Sequence, residues 1–202
     1  HEGFSVDAFT LKESSEYANF FYNQPKFSPA VMTDRNVANS ENPESVVGRV
    51  TDNATPLFTD ATIEHALATI APLNINISHT YNETTRQLTV TVSGEAIQKL
   101  PNARVNVWLT QSNIKAYQLK GGDDYPHDHA IRAILTGTWG EPIVLTPENK
   151  YEMTFHYQIP EKIGNFDVVI ENMEIVAFIA DYDSTNSFNC RVHNAEAVAL
   201  KK

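Results

Sequence analysis

The densest polar cluster in this chain is Gly121-Gly122-Asp123-Asp124-Tyr125-Pro126-His127-Asp128-His129. His127 and His129 stand two apart, and side chains two apart on an extended segment point the same way. Their imidazoles are then expected on one side, with Asp124 or Asp128 as an oxygen ligand or as acceptor for a second ring nitrogen. His127, His129 and Asp124 make a candidate divalent-metal site on that basis. Zinc asks for three or four protein ligands, and no third histidine is close in sequence, so the fold would have to supply His156 or His193. The other reading of the same residues is turn chemistry, a polar loop whose side chains tie down its own backbone. Beyond such an ion, no cofactor is expected.

Nucleophilic and phosphate chemistry find no support. The chain has no Gly-x-Ser-x-Gly elbow, no Gly-x-x-x-x-Gly-Lys-Ser/Thr loop and no His-Glu-x-x-His pair. Its one cysteine, Cys190, allows no internal disulfide and no Cys-x-x-Cys pair, and beside Phe188 and Val192 it reads as a small hydrophobe. Trp108, on the polar side of its run, and nearby Tyr117 form a candidate aromatic surface for a ligand or partner; the alternative is a Trp covered by a neighbouring loop or domain. Asn53, Asn76 and Asn82 each begin an Asn-x-Ser/Thr sequon, which matters only in a host that glycosylates such sites.

The elements that must hold these residues change texture near Pro72. The 202 residues are 42% hydrophobic and 20% charged, enough for one large domain or two small ones. A net charge of -10 opposes binding to nucleic acid. No run approaches the ~20 apolar residues of a spanning helix. His1-Glu2-Gly3 is not a signal peptide, and the absent initiator methionine suggests a processed or engineered fragment.

Residues 1 to 71 mix elements. Ser14 to Tyr22 is a helix candidate with Tyr17, Phe20 and Phe21 along one edge. Pro29 immediately precedes a short strand, where proline starts an edge strand or marks a cis peptide. Asn36 to Asn53 reads as an exposed polar loop. Thr55-Pro56 suits a cap and first helical position, and Ile63, Ala66, Leu67 and Ile70 follow at helix spacing as an expected buried stripe.

After Pro72 the period becomes two. Leu73, Ile75, Ile77 and Tyr81 alternate with polar residues, as do Leu88, Val90 and Val92, and the two runs make a hairpin; Val105, Val107 and Leu109 share a face opposite Arg104, Asn106 and Trp108. Tyr151, Met153, Phe155, Tyr157 and Ile159 alternate with polar residues. Ile131 to Thr136, Ile143 to Leu145, Ile175 to Ala180 and Phe188 to Leu200 bring the count to seven or eight strands. Such alternation predicts antiparallel sheets stacked face to face, an immunoglobulin-like β-sandwich over 72–202.

The segment Tyr125-Pro126-His127-Asp128-His129-Ala130-Ile131-Arg132-Ala133-Ile134-Leu135-Thr136-Gly137-Thr138-Trp139-Gly140-Glu141 resembles the His-Asn-His, Leu-Arg-Ala and Asn-Gly-Thr-Trp-Gly run of the twenty-eight-kilodalton outer membrane lipoprotein family of anaerobic Gram-negative bacteria. Asp128 stands where that family often has Asn. The resemblance runs from about Leu73 to Leu200 and implies a C-terminal β-sandwich. Residues 1 to 71 are similar to the second half of the thioredoxin-like domain that precedes it, with Pro29 as the proline before a central strand. The first strand and helix of that fold, where a redox Cys-x-x-Cys would lie, are not in this sequence.

The resemblance implies export, a lipidated cysteine outside this sequence, exposure at the cell surface or periplasmic face of the outer membrane, and no established catalytic activity. The expected role is recognition, adhesion or scaffolding toward a protein or glycan. One alternative is the docking part of a periplasmic thioredoxin-like oxidoreductase; another is a divalent-metal-binding module. An incomplete first lobe would expose a sheet edge, so a homodimer through residues 1 to 71 is a further expectation. Trp139 is expected to plug one end of the core between the sheets, with Gly137 and Gly140 permitting the turns around it.

Overall fold

The computed structural model describes residues 9–22, 30–36, 46–49 and 60–201. Pro29 and the Thr55-Pro56 cap lie outside them. The described chain runs α1 (Lys12–Phe21), β1 (Ala30–Val31), β2 (Gly48–Arg49), α2 (Asp60–Ala68), β3 (Asn76–Asn82), β4 (Gln87–Glu95), β5 (Ala103–Gln111), β6 (Ile114–Gln118) and β7 (Gly122–His127). It continues with β8 (Ala130–Ile134), β9 (Glu141–Pro142), β10 (Lys150–Gln158), β11 (Lys162–Ile163), β12 (Phe166–Asp167), β13 (Met173–Asp181) and β14 (Val192–Ala199).

Two antiparallel sheets make the sandwich. One has the order β10-β4-β3; the other has the order β14-β13-β5-β8, with β9 also on β5. The alternation read from the sequence sets what meets between them. Leu88, Val90 and Val92 of β4 face Val105, Val107 and Leu109 of β5 and Ile175, Ala177 and Ile179 of β13, all buried in one core. Tyr151 joins that core, and its hydroxyl donates to the Asn74 carbonyl at 2.7 Å. Gly94 lies opposite Tyr151 in the β4–β10 ladder, and a Cβ there would sit 2.7 Å from the Tyr151 hydroxyl and 2.2 Å from the Asn74 oxygen. The missing side chain is what lets the phenol reach its acceptor.

The second sheet is covered on its outer face as well. Phe21 of α1, Val46, Val47 and Cys190 form a separate buried cluster, with Tyr17, Phe20, Trp139 and Tyr182 packed against it. The Ser14 hydroxyl accepts the Leu11 N–H at 3.3 Å at the start of α1, and no β-branched residue interrupts the helix. Tyr17 lies 5.9 Å from Trp108, which meets Phe178 edge-on at 4.8 Å, so α1 lies against the outward side chains of β5 and β13.

Four expectations are corrected by this architecture. Asn36 to Asn53 is not wholly an exposed loop, since Val46 and Val47 are buried and β2 pairs with β1. The stripe on α2 is not buried: Leu67 is 80% and Ile70 81% exposed, because no described element packs over that end of the helix. Pairing near Ile143 ends early, with β9 at Glu141–Pro142 and the Ile143 N–H donating to the Ala103 carbonyl, while Val144 is exposed. The last strand starts at Val192, not Phe188; Ser187–Asn189 is a 3-10 turn closed by the Asn186 side chain.

Candidate functional site

Most of the Gly121 to His129 cluster is not a loop: Gly122–His127 is β7, the return arm of a hairpin. Among the described residues β6 and β7 pair only with each other, from Ile114 opposite His127 to Gln118 opposite Gly122. Lys120 and Gly122, both at positive φ, make the turn between them. The polar composition that suggested a loop is that of a two-stranded ribbon with water on both sides. Tyr117 is 63% exposed, and Leu119 and Tyr125 are exposed near the same tip.

His127 and His129 do not face one side. His129 adopts φ +52, a left-handed residue between β7 and β8, and this breaks the two-residue alternation. Its N–H donates to the Ser112 hydroxyl at 3.1 Å and its Nδ1 lies 3.1 Å from Glu174 Oε2. His127 turns instead between the rings of Phe9 at 4.9 Å and Tyr125 at 5.1 Å. Asp124 is exposed on β7, and Asp128 accepts the Asn113 N–H at 2.8 Å. Asp128 and His129 thus bond to Asn113, Ser112 and Glu174 on other segments, not to the backbone of their own cluster. Among the described residues no three His, Cys, Asp or Glu side chains come together as metal ligands. His156 pairs with Thr89 at 3.0 Å, and His193 with Asp181 at 2.8 Å, each on a different strand.

Trp108 and Tyr117 do not form one surface. Trp108 faces α1 and Phe178, the covered arrangement; Tyr117 alone is presented to solvent.

Trp139 does not plug the sandwich. Between β8 and β9 the chain leaves the edge of β5: the Leu135 N–H donates to the Val107 carbonyl, and the Thr136 hydroxyl accepts the Val107 N–H at 3.1 Å in place of a ladder partner. Gly137 at φ +67 and Gly140 at φ +73 then turn the backbone out and back. Trp139 rides on that excursion to the outer face, within 5.2 Å of Tyr17, 4.8 Å of Phe20 and 4.7 Å of Tyr182. Tyr17 donates to the Thr138 carbonyl, and the Thr138 hydroxyl donates to Glu16 at 2.5 Å. Gly140 lies so close to β5 that a Cβ would stand 2.5 Å from the Val105 oxygen.

Sequence reasoning missed Arg35. Its guanidinium is buried 5.2 Å from the Tyr17 ring, 5.0 Å from Phe21 and 5.3 Å from Phe178, a set of cation–π contacts that seats the residues after β1 on the sheet. Burial lowers the Arg35 pKa and raises that of Tyr17. Nothing in the local sequence marks that position. Cys190 is fully buried, and burial pushes its thiol pKa up, the reverse of a reactive thiolate.

These features define an antiparallel β-sandwich with an aromatic-seated N-terminal helix and a projecting hairpin. The family model of outer membrane protein Omp28 matches residues 31–201, and the chain belongs to that outer membrane family. The match reaches back beyond Leu73 to take in β2 and α2 together with the whole sandwich.

Among solved structures, HBP35 of Porphyromonas gingivalis is similar in fold, with a TM-score of 0.61 and 20% identity. The alignment covers 72% of this chain and 46% of that one, so this chain spans about half the length of that relative. A penta-heme cytochrome c552 from Thermochromatium tepidum aligns at TM-score 0.30 and 7% identity over 63% of this chain and 39% of that one, too low for a shared fold. No curated protein matches the chain.

Proposed function

We propose that this is a non-enzymatic recognition domain of the bacterial outer membrane, which presents the β6–β7 hairpin to a protein or glycan partner. The observation that carries the reading is the tip: Tyr117 and Leu119 stand exposed on a ribbon that pairs with no other strand among the described residues. Adjacent exposed aromatic and aliphatic side chains on a pre-formed ribbon suit partner binding, since little backbone entropy is lost on contact. Anchorage through a lipidated cysteine outside this sequence belongs to the same proposal, as does the thioredoxin-like ancestry of residues 1 to 71.

The oxidoreductase alternative gains nothing from Cys190, which is buried and has a raised pKa. The test is co-sedimentation of the purified chain with outer membranes isolated from a Gram-negative anaerobe. Tyr117→Ser with Leu119→Ser should abolish binding and leave the melting temperature within a degree or two, as expected of exposed positions. Equal binding by the double variant sinks the reading.

A further inference from the structure

At the end of the sandwich near β11 and β12, a buried cation stands without a counter-charge among the described residues. Arg132 is only 3% exposed. It is the extra residue of a β-bulge: Ala133 pairs with Leu109 and Ile131 with Thr110, which leaves Arg132 with no partner on β5. A bulge re-aims the side chain it carries. Here the guanidinium reaches the Ile163 carbonyl through Nη2 at 2.8 Å. Its Nε–H is buried with no acceptor, no carboxylate among the described residues pairs with it, and burial lowers its pKa. Such a group is costly to keep unless something completes it.

What covers it is a side chain from the far end of the chain. The Phe9 ring lies 5.7 Å from the Arg132 guanidinium, 4.9 Å from the His127 ring and 5.0 Å from Phe166. His127 Nε2 is likewise buried without a partner. Gln111 fixes the wall behind Phe166, since its amide donates to the Asp167 carbonyl at 3.1 Å. One aromatic slot therefore adjoins two polar atoms that nothing among the described residues satisfies.

We propose that Arg132 and His127 form a binding site for a carboxylate carried on an aromatic body, and that Phe9 occupies the aromatic half of that site. A planar guanidinium edge matches a carboxylate in geometry and charge, and the Phe9 slot receives the ring. A ligand that brings both halves displaces Phe9, supplies the missing acceptor and neutralises Arg132. The site is separate from the hairpin tip and stands whether or not that tip binds a partner. The same chemistry belongs to a free aromatic acid and to a peptide ending in phenylalanine.

The experiment is calorimetric titration of the full chain and of Phe9→Ala with 3-phenylpropionate, with a short peptide ending in Phe, with that peptide's C-terminal amide and with 3-phenylpropanol. Removing the plug should raise affinity for the acids about tenfold or more, since the competent state is then fully populated. The amide and the alcohol should bind about thirtyfold more weakly or not at all. A tighter peptide than free acid assigns the site to chain ends, and the reverse order to small acids.

Arg132→Gln in the Phe9→Ala background should abolish binding. If that variant melts early, the acid against alcohol comparison on Phe9→Ala decides alone. Absence of saturable heat with either acid, or equal affinity for acid and alcohol, overturns the proposal.

Discussion

Trp139 stacks on Tyr182, ring centroids 4.7 Å apart and planes 20° apart, on the outer face of the β13–β5 sheet and not in the core between the sheets. The ring is half-buried and touches α1 through Tyr17 and Phe20. Its main service is therefore to join α1 to the sandwich.

Trp139→Ala should accordingly cost about 2 to 3 kcal/mol, below the ~3 to 5 of a fully buried aromatic truncation, because the site is only partly enclosed. The loss should be local. Near-UV circular dichroism should lose the seam's aromatic signal while the far-UV strand signal stays. Leu88→Ala, inside the sandwich, should instead lower the whole unfolding transition by about 3 kcal/mol or more.

The two glycines that launch Trp139 should respond differently. Gly137 sits at φ +67 with open space where a Cβ would go, so Gly137→Ala pays only for the left-handed backbone, about 1 kcal/mol. Gly140 adds a clash, because its Cβ would press on the Val105 carbonyl and the Asn106 side chain. Gly140→Ala should cost at least about 3 kcal/mol by urea unfolding. Equal costs would mean that the excursion relaxes freely.

What is legible in the sequence and what is not divide along one physical line. Period-two burial in Leu88, Val90 and Val92 or in Val105, Val107 and Leu109 is local, so the amino-acid pattern alone specifies the sandwich. The hairpin Ile114–His127 leaves no such trace, because a ribbon wet on both sides has no apolar alternation to detect. At His129 a single left-handed residue reverses side-chain direction without altering composition, and spacing therefore misleads. Trp139, Arg35 and Arg132 depend on partners from other elements, such as Tyr17, Phe178 and Phe9, or on a bulge, and periodicity carries no information about either. Leu67 and Ile70 show the converse: helical spacing identifies an apolar stripe, but not whether anything covers it.

Cys190 should be inert to thiol reagents in the native protein. Its sulfur is enclosed by the 183–190 turn, where the Asp183 N–H points at Sγ from 3.5 Å, and burial holds the thiol in its neutral form. Disulfide-exchange labelling should proceed at the rate of opening of that turn and become fast only in denaturant. Rapid stoichiometric labelling at neutral pH would contradict this packing.

The same turn should carry an acid transition. Asp183 accepts the Thr185 N–H at 2.9 Å, the Thr185 hydroxyl at 2.6 Å and the Asn189 amide at 2.8 Å, and these donors lower its pKa to about 2. An unfolded aspartate titrates near about 4. The folded state thus favours the carboxylate, and the stabilisation is complete above about pH 4 and disappears as pH falls toward about 2. Asp183→Asn removes the charge that those donors hold, so the wild-type advantage should be pH-independent above that window and vanish across it. Carbon-detected NMR of the side-chain carboxyl should give a midpoint near 2. A midpoint near 4 would show that the three donors do not act on the carboxylate in solution.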